Sequence, residues 1–156
     1  MPAEELYAAL APQVEALLGD ETDFIANAAN LAAAVYHALP DPNWAGFYIR
    51  RGEELVLGPF QGKPACVRIP MGKGICGTAA ARQETLIVAD VHAFPGHIAC
   101  DAASRSEIVV PMIVDGKCVG VLDLDSPAPG RFTHVDARGL EHLVKLLLRR
   151  SSPLVA

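Results

Sequence analysis

A chain of 156 residues, 51% of them apolar and 20% charged, has the length and composition of a folded domain with its own core, which excludes a largely disordered polypeptide. With 13 basic against 18 acidic residues, the net charge of -5 leaves no basic footprint for nucleic acid or an anionic membrane. No stretch approaches the ~20 apolar residues that span a bilayer, and the first residues lack the basic and apolar regions of a signal peptide, so a cytoplasmic location is expected.

No repeat or low-complexity tract interrupts the chain, which reads as one domain over residues 1–156. Leu6, Leu10, Val14 and Leu17 recur at helical spacing until Gly19. Asp20 is read as the cap of a second helix with Ile25, Ala28, Ala32, Val35 and Leu39 on one side, ended by Pro40 and Pro42. The period then changes to two. Over Asn43–Arg51, Ala45, Phe47 and Ile49 fall on one strand face while Trp44, Gly46 and Tyr48 fall on the other. Glu54–Leu57 and Ala65–Ile69 read as short strands. Gly72-Lys73-Gly74 leads into a short helix through Ala79–Gln83, and Leu86–Ala89 is another strand. Asp90–Arg105 holds Pro-Gly, two histidines and a cysteine without a period, the mark of a functional loop. Glu107–Val114 and Lys117–Asp125 form a hairpin across Asp115-Gly116. Thr133 and Asp136 cap a last helix with Val135, Leu140, Leu143 and Leu147 inward. The order predicts an α+β fold: an antiparallel sheet with terminal helices on one face and functional loops on the other.

Four cysteines, Cys66, Cys76, Cys100 and Cys118, have no C-x2-C pair, so the usual structural zinc spacing is missing. They are packing thiols or redox groups. Cys100 lies in the long loop, near His97, Arg105 and a possible helix start over 101–104, all of which would favour a thiolate; its bland reading is a small buried hydrophobe. Cys76 follows the glycine-rich turn and is expected to be accessible with a lowered pKa. Cys66 is placed on a strand face with Arg68, opposite Val67 and Ile69. Cys118 is assigned to core packing beside Gly120, Leu122 and Leu124. A zinc site from His92, His97 and Cys100 lacks a fourth ligand, and no metal is assigned.

Asp123 and Asp125 project from one face of an otherwise apolar strand, where desolvating an acid is costly. A strict two-residue turn pairs 114 with 117 and puts Glu107 opposite Leu124, on the wrong face to join them. Convergence therefore requires a bulge, with Pro111 as its candidate position, or a hairpin register other than the strict one. Once together, the three acids would raise at least one pKa and hold a proton, as a general acid needs. Trp44 and Tyr48 are either core or an aromatic wall.

These residues sit in segments that resemble the free methionine-(R)-sulfoxide reductases, stand-alone GAF-type domains. The likeness is carried by the stretches 65–70 (Ala-Cys-Val-Arg-Ile-Pro), 72–79 (Gly-Lys-Gly-Ile-Cys-Gly-Thr-Ala) and 90–101 around Cys100. Residues 106–111 and 120–126 extend it. The resemblance implies a GAF-like α+β fold, no cofactor, and Cys100 as nucleophile with Cys66 and Cys76 in recycling. It further implies Glu107, Asp123 and Asp125 around the sulfoxide and Trp44 and Tyr48 lining the pocket. Implied partners are free methionine (R)-sulfoxide, thioredoxin or a similar dithiol, and a second copy of the chain in a homodimer. The rival reading is a GAF-type small-molecule or redox sensor without turnover.

Overall fold

The computed structural model describes residues 1–98 and 102–152. Helix α1 (Ala3–Leu18) buries Tyr7, Leu10, Val14 and Leu18. Its inward stripe is rotated from the predicted one, because Leu18 is the residue that packs and Leu17 is 48% exposed. Helix α2 (Phe24–Ala38) is capped by Asp23, whose carboxylate accepts from the Ala26 amide at 2.9 Å, and not by Asp20. Moving the cap by three residues rotates Ile25 outward, to 54% exposed, and brings Phe24 and Asn27 in. Helix α4 (His134–Arg150) starts at the predicted Thr133–Asp136 capping box.

Six strands build one antiparallel sheet: β1 (Trp44–Arg51), β2 (Glu54–Gly62), β3 (Arg68–Pro70), β4 (Leu86–Val88), β5 (Ser106–Val114) and β6 (Lys117–Ser126). Their order is β3-β2-β1-β6-β5-β4. Strand β2 is longer than expected and β3 shorter. Cys66 and Val67 lie in the segment between them, and Val67 is 60% exposed instead of sharing a face with buried Ile69. Helix α3 (Gly74–Arg82) begins at Gly74, where the glycine-rich turn leads into it as expected. A 3-10 turn (Val91–Ala93) occupies part of the long loop, and residues 102–105 are turn and extended backbone, not a helix start. Among the described residues, no helix is long and apolar enough to cross a membrane.

Helices α1, α2 and α4 cover one face of the sheet, meeting Ala45, Phe47 and Ile49 of β1, Ile108, Val110 and Met112 of β5, and Leu122 and Leu124 of β6. The opposite face carries α3, which packs on β5 and β6. There the second cluster contains Trp44, Tyr48, Cys76, Val109, Cys118 and Val121.

The β5–β6 hairpin closes on Asp115 (φ 52) and Gly116 (φ 77), the left-handed pair of a type I′ turn. Near the turn, Val114 pairs with Lys117 and Ile113 with Cys118. One step on, Met112 pairs with Gly120, so β6 carries an extra residue at Val119. The required bulge exists, next to Pro111 and not at it. It places Glu107 opposite Asp125. It also reverses the face of Cys118, which joins Val109 and Val121 and not Leu122 and Leu124 as expected. Its predicted packing role stands: Cys118 is fully buried and its thiol donates to the Gly120 carbonyl at 3.2 Å.

Candidate active site

Two ladders bring the acids together. Strand β6 pairs with β1 so that Asp125 lies beside Trp44 and Asp123 beside Gly46, and with β5 so that Glu107 lies beside Asp125. All three carboxylates line one cavity with Trp44, Tyr48, Cys76 and His97. Glu107 and Asp123 are 6% and 5% exposed, so both have lost most of their hydration.

Burial first, and then the charges of Asp123 and Asp125, push the Glu107 carboxyl well above the ordinary carboxylate range. Asp123 is raised by burial to about 6, and hydrogen bonds from Glu107, Cys76 and Asp125 hold it from going further. The hydrogen bond shared by the two raises Glu107 and lowers Asp123, so a proton held between them is favoured on Glu107. Asp123 Oδ1 is buried and has no hydrogen-bond partner among the described residues. Such an acceptor is costly unless a donor enters the cavity.

Cys76 departs from its expected character. The turn at Gly74 (φ +63) starts α3, and a Cβ on Gly77 would lie 2.4 Å from the Pro70 carbonyl, so the helix seats directly on the 70–72 turn. That seating turns the thiol inward to 4% exposure, where it donates to Glu107 Oε2 at 3.7 Å. Burial, then the charges of Asp123, Glu107 and Asp125, push its pKa well above the ordinary value. The prediction of an accessible, lowered-pKa thiol fails because burial, and after it the nearby acids, outweigh a helix start. Cys76 Sγ and oxygens of Glu107 and Asp123 lie within 4.8 Å of one another, the spacing of metal ligands, but a metal there would have to displace the protons of Cys76 and Glu107.

Trp44 and Tyr48 form the predicted aromatic wall, with ring centroids 5.9 Å apart. Phe60 stacks on Trp44 at 5.3 Å and stiffens the wall. Both side chains also reach the segment that carries Cys66. Trp44 Nε1 donates to the Lys63 carbonyl at 3.0 Å, and the Tyr48 hydroxyl donates to the Cys66 carbonyl at 2.9 Å. Strand alternation placed the rings, but nothing in the sequence signalled these backbone partners. Cys66 is disulfide-bonded, whereas Cys76 and Cys118 are free thiols. Cys100, the assigned nucleophile, lies outside the described residues. Three residues earlier in the chain, the imidazole of His97 has its pKa lowered by burial and by His92, which favours the neutral ring and not the thiolate-stabilising cation expected of it. The rings of His92 and His97 meet edge-on, 6.5 Å apart.

The family model for the GAF domain matches residues 13–148. The free methionine-R-sulfoxide reductase of Escherichia coli (strain K12) is 55% identical over 147 residues, covering 94% of this chain and 89% of that protein. The protein of the same name from Saccharomyces cerevisiae is 47% identical over 152 residues, covering 92% and 84%. Among solved structures, the free methionine-R-sulfoxide reductase from Neisseria meningitidis in complex with its substrate superposes with a TM-score of 0.93 at 49% identity, over 96% of this chain and 90% of that one. With that likeness extending over nearly its whole length, the chain belongs to the GAF-domain family and, within it, to the free methionine-R-sulfoxide reductases.

Proposed function

We propose that this enzyme reduces the free (R)-sulfoxide of methionine to methionine in the cytoplasm, by a thiol cycle in which Cys100 attacks and Cys66 resolves. The observation that carries the reading is the set of three carboxylates walled by Trp44 and Tyr48, with Glu107 buried among them so that its protonated form is favoured. The Cys100 thiolate attacks the sulfoxide sulfur while Glu107 gives its proton to the departing oxygen. Attack forms an S–S bond to Cys100, and the S–O bond of the substrate breaks as the protonated oxygen passes to the Cys100 sulfur. The S–S bond breaks with its electron pair going to the substrate sulfur, and methionine leaves reduced by two electrons with Cys100 as a sulfenic acid. The Cys66 thiol condenses with that sulfenic acid, releasing water and forming a disulfide, which thioredoxin or a similar dithiol reduces by exchange. The disulfide at Cys66, beside free thiols at Cys76 and Cys118, supports Cys66 as the resolving group.

The acidic side chains of Asp123 and Asp125 suit the ammonium group of a free amino acid, which a peptide-embedded sulfoxide lacks. Association of two copies through the terminal helices is a further part of the proposal, read out by the mass in solution. The central test couples NADPH oxidation, through thioredoxin reductase and thioredoxin, to each epimer of the sulfoxide, free and within a peptide. Turnover with the free R epimer alone is expected. No turnover with it, or equal rates with peptide, overturns the reading.

A further inference from the structure

Cys100 and Cys66 have a place in the cycle above and Cys118 only packs, whereas Cys76 packs in the second cluster with its sulfur turned to the acids of the site. It is nine-tenths buried, yet its sulfur faces the cavity in company with two acids. Three observations separate it from a redox thiol. Disulfide exchange needs a sulfur that an incoming dithiol can reach in line, and Cys76 is 4% exposed. Its helix is held in place by the Gly77–Pro70 contact and by the Gly72 amide donating to the Gly77 carbonyl at 2.8 Å, whereas Cys66 sits on a connecting segment. Cys76 is also a free thiol in the same structure in which Cys66 is disulfide-bonded.

What the geometry does give Cys76 is a hydrogen bond. Its S–H donates to Glu107 Oε2 at 3.7 Å, and Asp123 is a second acceptor within its reach. A neutral carboxyl group whose Oε2 accepts from a thiol carries its proton on Oε1. The orientation of the acid then depends on the donor beneath it. We propose that Cys76 is a positioning residue, whose S–H donates to Glu107 and holds that carboxyl in the cavity, and is not a thiol of the redox cycle. The inference rests on the proposed role of Glu107 as the acid. The groups facing Glu107 are Cys76 from α3, Asp123 and Asp125 from β6 and Tyr48 from β1, with His97 on the cavity rim.

A hydroxyl can replace the thiol as a donor but not as a redox group, so serine and alanine divide the two roles. Cys76→Ser, Cys76→Ala and the donor-less, bulkier Cys76→Val are compared with the wild type, and Cys118→Ser serves as a packing control. Two readouts are taken on folded protein: methionine released in a single turnover, and the carboxyl band in infrared difference spectra across a pH titration. Cys76→Ser is expected to stay within about threefold of the wild-type single-turnover rate. Cys76→Ala and Cys76→Val should slow it about tenfold or more, since proton transfer from a positioned acid contributes at least that much. Removing a donor to a carboxylate favours its protonated form, so the titration midpoint of Asp123 should rise in the Ala and Val variants and stay in place in the Ser variant.

Equal loss of multiple turnover in the Ser and Ala variants, with single-turnover rate and carboxyl titration unchanged, would overturn the proposal in favour of a redox thiol. Wild-type behaviour of Cys76→Ala in both readouts would overturn it as well. If the wild type itself fails to reduce the free sulfoxide, the proposed function falls, while the infrared titration still decides whether Cys76 controls the carboxyls.

Discussion

The two faces of the sheet come from the same strands and are chemically opposite. Toward the helices, β1, β5 and β6 present Phe47, Ile49, Ile108, Val110, Leu122 and Leu124, all buried and all apolar. Toward α3 the alternate residues of those strands present Tyr48, Glu107, Val109, Val121 and Asp123. A strand's period of two lets adjacent residues be held to different standards. The helix face gains stability from burial at roughly 25 cal/mol per Å². The cavity face gives some of it back, because two buried carboxyls and the unpaired Asp123 Oδ1 are costly to desolvate. The burden of folding falls on one side, and chemistry is built on the other at a net loss of stability.

Substitutions on each side break this contrast in different currencies. The largest effect is expected from Glu107→Gln, which keeps the shape but removes the transferable proton. The single-turnover rate should fall about 10²–10⁴-fold, with the unfolding midpoint unchanged or raised. In the wild type, activity should decline as pH rises through the elevated Glu107 pKa, and that alkaline limb should vanish in the variant. A limb that survives the substitution assigns the acid elsewhere. On the opposite face, Phe47→Ala empties a fully buried site and should cost about 3–5 kcal/mol in urea unfolding. Its active-site carboxyls should titrate unchanged below the transition.

A smaller effect of opposite sign is expected from Asp123→Asn. The folded-state pKa of Asp123 is raised from 3.8 to about 6, so the folded protein holds a proton that the unfolded chain releases between those values. Stability from this group is full below pH 3.8 and lost as pH rises to about 6. The Asn variant should be more stable than the wild type at pH 7, by about 1–3 kcal/mol, with the difference shrinking on acidification. A destabilised Asn variant at pH 7 would mean that Asp123 supports the fold and not only the site.

Much of the helix face follows from periodicity that local sequence carries. The β1 alternation, the Asp-Gly turn and the Thr133–Asp136 capping box depend on residues a few positions apart. Where several residues compete for one local role, choice passes to tertiary packing. Asp20 and Asp23 both suit a helix cap, and packing of Phe24 and Asn27 selects Asp23. The site is less local. Its acids were recognisable as misplaced charges in an apolar strand, and their meeting was conditional on a bulge whose position no single residue announces. The pKa of Cys76 is raised first by burial and then by Asp123 and Glu107, all consequences of tertiary packing, so its nearest neighbours pointed in the wrong direction.

The extra residue at Val119 can be understood as a change of reading frame. On the turn side of it, the odd–even assignment of β6 puts Cys118 toward α3 and Val119 toward the helices; beyond it, the assignment is inverted. Drawing that one residue into the ladder while the turn stays in place, so that Met112 meets Val119, would bring Glu107 into register with Leu124 and send either the acid or its neighbours into the apolar core. Amino acid identity at Val119 is therefore of secondary importance, since another apolar residue fills the same space. What matters is that this residue stays outside the ladder: deleting it would leave Met112 on Gly120 and Glu107 on Asp125, whereas pairing it would separate the acids.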